Sequence, residues 1–129
     1  GERRIGVAVS DPGESFALPL GVIERTAVDE DVGRIVAMAR EHDARAIVVG
    51  DPLRLGGERG PACERVDRFV LRLQRRWDGP IERVDERLTT AQATRALLEA
   101  DVSRARRKKT VDKLAAALIL ETYLARRRA

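Results

Sequence analysis

At 129 residues, with 43% apolar content, the chain has the length of one domain and enough apolar side chains to bury a core, which excludes a disordered protein. Aromatics are only 3%, so that core has to be aliphatic, and the formal net charge of +4 favours a polyanionic partner, although Arg-rich composition also arises in GC-rich genomes. A single cysteine, Cys63, excludes an internal disulfide, no run of about 18 apolar residues suggests a membrane span, and no signal peptide is visible, so a cytoplasmic protein with no membrane partner is expected.

The run Arg4 to Ser10 is β-branched and ends at Asp11-Pro12-Gly13, which predicts a strand and a turn. A second extended stretch follows from Phe16 to Glu24, with Pro19 assigning it an edge position, so the two make an antiparallel hairpin. Val32, Ile35, Val36 and Ala39 recur at helical spacing, after acids at 29 to 31 that suit a helix N-terminus. Ala46 to Gly50 reads as a strand buried on both faces. Asp51 to Pro61 is a loop. A helical stripe of Val66, Phe69, Val70, Leu73 and Trp77 ends at Gly79-Pro80, and Ile81 to Val84 is a short strand. Thr89 and Gln92 form a capping box that opens a helix to about Glu99. Residues 101 to 109 read as a basic connector, and a last, largely buried helix starts near Thr110 and carries seven consecutive apolar residues from Leu114 to Leu120. A hairpin followed by strand–helix alternation predicts an α/β fold: a mixed sheet, antiparallel hairpin plus parallel strands, with helices on both faces.

Four segments carry residues of chemical interest: Gly1 to Asp11; Val48-Val49-Gly50-Asp51-Pro52-Leu53 with Gly56-Gly57; Asp85-Glu86-Arg87-Leu88-Thr89-Thr90; and Lys108-Lys109-Thr110-Val111-Asp112-Lys113-Leu114-Ala115-Ala116, leading to Glu121. Asp85 and Glu86 sit where a strand meets a loop, the edge at which open α/β sheets bind ligands. Taken alone, they are as well explained by a solvated turn pair bridging to Arg87. Asp112 is read in the first turn of the most apolar helix, sharing a face with Ala116 and Ile119. A carboxylate there needs a partner or a metal, or it simply favours a helix N-terminus.

In this order and at these spacings the four segments resemble the YqgF/RuvX family over essentially the whole chain. The resemblance implies an RNase H-like fold and a metal-dependent nuclease, similar to Holliday-junction resolvases, acting in 5′-end maturation of precursor 16S rRNA. It implies Glu86, Asp112 and Asp85 as catalytic residues, with Glu86 and Asp112 as ligands of two Mg²⁺ or Mn²⁺ ions and Asp85 either a second ligand beside Glu86 or a cap on the turn. The family's first strand ends in an aspartate two residues before a glycine matching Gly1. One RNase H-like domain over 1–129 is therefore expected to be preceded by about ten further residues carrying that strand. Asp51 departs from the family's apolar residue and either joins the site or is a benign loop substitution. Glycines 56, 57 and 60 are not followed by the Lys-Ser/Thr of a P-loop, so they mark a loop touching substrate backbone or an ordinary connection. Arg104, Arg106, Arg107, Lys108 and Lys109, joined by Arg4, are the expected phosphate contacts. RNA is the expected partner. Branched DNA, a non-catalytic nucleic-acid-binding module and a homodimer remain open alternatives.

Overall fold

A computed structural model describes residues 3–87 and 104–128, with side chains from 3 to 87 and from 112 to 127. The predicted helix from Thr89 to Glu99 and its capping box lie outside the described residues. The element order is β1 (Arg4–Ser10), β2 (Ala17–Glu24), α1 (Val28–Glu41), β3 (Ile47–Asp51), α2 (Pro61–Gln74), β4 (Ile81–Asp85) and α3 (Arg104–Arg128). Antiparallel and parallel strand pairs flanked by helices give the α/β class of an RNase H-like fold. The chain forms two compact units, one of Gly1–Glu24 with Leu88–Ala129 and one of Arg25–Arg87.

In the first unit β1 and β2 pair antiparallel, with the register slipping between Val7 and Ala8, so that Val7 faces Gly21 and Ala8 faces Pro19. The bulge places Pro19, which has no N–H to give, where the ladder is already interrupted. The joining turn is held by Asp11, whose carboxylate accepts from the N–H groups of Gly13, Ser15 and Phe16 at 3.2, 2.7 and 2.8 Å. These backbone donors, that of Phe16 foremost, keep the Asp11 carboxyl below its ordinary value, as befits the turn residue that the sequence suggested.

Helix α3 packs on both strands and buries Ala117, Ile119 and Leu124. It begins at Arg104, so residues 104–109 are its opening turns rather than a connector, and Asp112 lies more than two turns inside it rather than in its first turn. Arg and Lys are good helix formers, and no Gly or Pro interrupts them. Glu121 of this helix accepts from the Ala17 N–H at 2.9 Å, tying the helix to the start of β2. The closest approach is at Gly6, where any Cβ would overlap the backbone carbonyl of Asp112.

In the second unit β3 and β4 are parallel, with α2 as the crossover that parallel neighbours require. Every residue of β3 is half-buried, which corrects the expectation of a strand covered on both faces. Val32, Val36 and Ala39 of α1 and Phe69, Val70 and Leu73 of α2 form a largely aliphatic core with Val84. Each of the side chains larger than Ala contributes about 2 kcal/mol on leaving water. Trp77 lies past the end of α2 and donates to the Pro80 carbonyl at 3.2 Å. Asp31, 1% exposed, reaches back from α1 to accept from Thr26 N–H and Oγ1 at 3.1 and 3.2 Å, so it closes the helix start. No described helix is long and apolar enough to cross a membrane.

Replacing Gly6 with Ala forces α3 away from β1 and is expected to destabilise the protein by about 2 kcal/mol, the usual cost of overpacking. The same change at Gly21, which has open space, should stay within about 0.5 kcal/mol. Urea melts of the two variants make the comparison.

Candidate active site

Asp51 and Asp85 are the last residues of β3 and β4 and are register partners, so their carboxylates leave the same edge of the parallel pair. Glu86 follows directly. Its N–H donates to the Asp51 carbonyl at 3.1 Å, which fixes the chain as it leaves β4.

The three acids have different surroundings. Asp51 accepts from Arg59 Nη1 at 2.8 Å and from Arg83 Nη2 at 2.9 Å. Both arginines also reach Asp67, at 2.5 and 3.0 Å, so two acids and two guanidinium groups close a ring. Arg83 Nε is buried and has no acceptor among the described residues, a cost of placing Nη2 between two carboxylates. Burial pushes the Asp51 carboxyl up, but hydrogen bonds from Arg59 and Cys63 and the charge and hydrogen bond of Arg83 outweigh it, leaving Asp51 below its ordinary value. Asp51 is therefore held in ion pairs with Arg59 and Arg83.

Asp85 accepts from the Arg87 N–H at 2.9 Å through one oxygen, and from Arg87 Nε and Nη2 at 2.6 and 2.5 Å through the other. This is the turn pair weighed from sequence. Arg87 also donates from Nη1 to the Leu55 carbonyl at 3.3 Å. The loop that carries Leu55 turns at Gly57, whose φ of 93° favours glycine, so the glycine loop is tied to the end of β4.

Glu86 behaves in the opposite sense. Burial, then the neighbouring carboxylates of Asp51 and Asp85, push its carboxyl above the ordinary value. A cation would offset both effects, and a carboxylate oxygen is the ligand that Mg²⁺ or Mn²⁺ takes. Glu86 thus fits a divalent metal by its chemistry. Among the described residues no group of three or more Asp, Glu, His or Cys is arranged to hold an ion.

In the first unit Asp112 accepts from Arg4 Nε at 2.8 Å. Arg4, expected on the phosphate-binding surface, is thus an internal partner of a candidate ligand. The backbone of Arg104, Arg106, Arg107, Lys108 and Lys109 is helical, and their side chains lie outside the described residues. The arginines at 59 and 83 escaped the sequence reading, whereas Arg87 was weighed there as the partner of the turn pair. One signal was available: Arg83 and Asp85, two apart on a strand, share a face.

The α/β scaffold, with carboxylates gathered at the exit of a parallel strand pair, has the arrangement that an RNase H-like nuclease uses, and the family match assigns that class. The chain belongs to the RuvX family, whose model, described as Holliday junction resolvase, matches residues 1–126. It is 45% identical over 126 residues to a protein of Clostridium perfringens (strain SM101 / Type A), covering 98% of this chain and 92% of that one. It is 47% identical over 124 residues to a protein of Symbiobacterium thermophilum, covering 96% and 86%. A Thermoanaerobacter pseudethanolicus protein is 45% identical over 125 residues, covering 96% and 90%. All three carry the name "Putative pre-16S rRNA nuclease".

Asp51 and Glu86 should respond to pH with opposite signs. The lowered carboxyl of Asp51 stabilises the fold above its unfolded value of 3.8 and loses that contribution as pH falls through the lower folded value. Asp51→Asn is expected to cost on the order of 2 kcal/mol at pH 7 and progressively less in acid. The raised carboxyl of Glu86 penalises the fold once pH climbs above 4.5, so Glu86→Gln should raise the melting temperature at pH 7 and leave it unchanged below 4.5. Thermal melts across this pH range test both.

Proposed function

We propose that this protein is a divalent-metal-dependent phosphodiesterase that matures the 5′ end of precursor 16S rRNA in the cytoplasm. The observation that carries the reading is Glu86, a half-buried carboxylate at the exit of β4 whose proton affinity is raised by burial and by two neighbouring acids. Such an environment suits a cation ligand far better than a solvated turn residue. The names of the 42–47% identical relatives supply the substrate.

Glu86 and Asp112 are the carboxylates assigned to the metal, Mg²⁺ or Mn²⁺, with two ions as the working arrangement. A bound cation of this kind polarises the phosphoryl oxygen and lowers the proton affinity of water. The chain's own residues do the rest. Arg87 holds Asp85, and Arg59 with Arg83 holds Asp51, so these two carboxylates are fixed in direction. Asp85 accordingly acts on the reaction by shaping the charge around Glu86. Arg104, Arg106, Arg107, Lys108 and Lys109 are assigned to the phosphate backbone, where cationic side chains position a strand without reading its sequence.

A second reading keeps the chemistry and changes the substrate to branched DNA, as the family's description suggests. A four-way junction is symmetric, so that reading also calls for a second copy of the chain.

Asp112→Asn and Glu86→Gln should each lower cleavage at least about 100-fold without loss of oligonucleotide binding, because the main phosphate contacts are assigned to residues 104–109. Cleavage of a precursor 16S rRNA fragment and of a four-way DNA junction, run side by side with binding by fluorescence anisotropy, separates the substrates. Parallel loss of binding and cleavage would count against the assignment.

A further inference from the structure

Arg4 and Asp112 are 108 residues apart in sequence, yet Arg4 Nε donates to Asp112 Oδ2 at 2.8 Å, with the two side chains 19% and 26% exposed. One strand holds both ends of Asp112. Gly6 admits the Asp112 carbonyl because it has no Cβ, and Arg4, two residues earlier on the same face of β1, takes the carboxylate. A backbone contact this close leaves α3 little freedom to slide, so the pairing of Arg4 with Asp112 is built into the crossing of strand and helix.

A guanidinium group does not lose its proton in proteins, so the positive charge beside Asp112 is permanent. A divalent cation docking on this carboxylate meets a like charge already within hydrogen-bond distance, in a partly buried setting where screening is weak. Either the cation binds weakly or the guanidinium leaves. Its flat fork suits a phosphate as well as it suits a carboxylate, and its side chain is long enough to turn from one to the other.

We propose that Arg4 is the positioning residue of Asp112 and the competitor of its metal: it holds the carboxylate until a nucleic-acid phosphate draws the guanidinium away and exposes Asp112 to the cation. This rests on the reading of Asp112 as a metal-binding carboxylate. Its consequence is positive coupling between polyanion and cation, with Arg4 as the shared element. A nuclease wired in this way binds its metal firmly only when substrate is present.

The experiment titrates Mn²⁺ into the full chain by calorimetry, with and without a short 2′-O-methyl RNA that resists cleavage. Arg4→Gln should bind Mn²⁺ roughly five- to tenfold more tightly than the unchanged protein in the absence of RNA. The RNA should tighten Mn²⁺ binding in the unchanged protein and no longer do so in Arg4→Gln. Arg4→Lys, which keeps the charge, should bind Mn²⁺ as the unchanged protein does, and this distinguishes a lost charge from a loosened helix. Equal or weaker Mn²⁺ binding in Arg4→Gln overturns the proposal, as does an Arg4→Lys variant that matches Arg4→Gln. Asp112→Asn separates the two levels of the argument. If it abolishes Mn²⁺ binding while Arg4→Gln changes nothing, only the role of Arg4 fails. If it leaves Mn²⁺ binding intact, or if no variant binds Mn²⁺, the reading of Asp112 as a ligand fails and takes this inference with it.

Discussion

A carboxylate withdrawn from water must find positive charge or hydrogen-bond donors, or else take up a proton, and this constraint organises every acid of interest in the protein. Among the described residues, Asp51 pairs with the guanidinium groups of Arg59 and Arg83, Asp85 with that of Arg87, and Asp112 with that of Arg4. Such pairs add little net stability, because the cost of desolvation cancels most of the attraction. Their effect is directional. A bidentate or shared guanidinium fixes where carboxylate oxygens point, and the ring of Asp51, Arg59, Asp67 and Arg83 joins the end of β3, the loop after it, helix α2 and strand β4 in one charge-balanced unit.

Glu86 gains its character from that balance. Burial, with the negative charges of Asp51 and Asp85 added to it, raises the proton affinity of Glu86, while Arg59 and Arg83 hold the Asp51 carboxyl below its ordinary value. The clamps are thus part of the site's electrostatics even though none of them need touch a substrate. The same logic explains how a charged Asp51 is tolerated at the end of a strand: Arg59 and Arg83 meet its charge.

The fold was legible where local chemistry is decisive. The β-branched run from Arg4 to Ser10 ends at Asp11-Pro12-Gly13 and forms β1 with those bounds, and the apolar stripe through Phe69, Val70 and Leu73 is the buried face of α2. It was illegible where charge masks propensity. Residues 104–109 look like a solvated connector because they are basic, yet they continue the backbone of α3, since a charged run with no breaker can join a helix whose apolar half is buried further on. At the site, the strand-end position of Asp85 and Glu86 and the bridge from Asp85 to Arg87 could be read from sequence, but the distant partners could not. Arg83 lies 32 residues from Asp51 and Arg4 lies 108 from Asp112, separations at which spacing carries no information about contact.

The family's description and the relatives' names point to different nucleic acids, and the acids at the strand end cannot arbitrate between them. Carboxylates that hold a metal act on the phosphodiester linkage, which RNA and DNA share. Discrimination has to come from groups that sense strand geometry or the 2′-hydroxyl, at a distance from the reacting phosphorus. In this chain five basic residues fall within the six positions from Arg104 to Lys109, at the opening of the helix that also carries Asp112. A rigid helix fixes the distance along its axis between that cluster and Asp112 at about 1.5 Å per residue. If the cluster grips phosphates and Asp112 takes part in cleavage, as proposed, a phosphate backbone would reach Asp112 at a set span, and substrate choice would then be a matter of backbone path along α3.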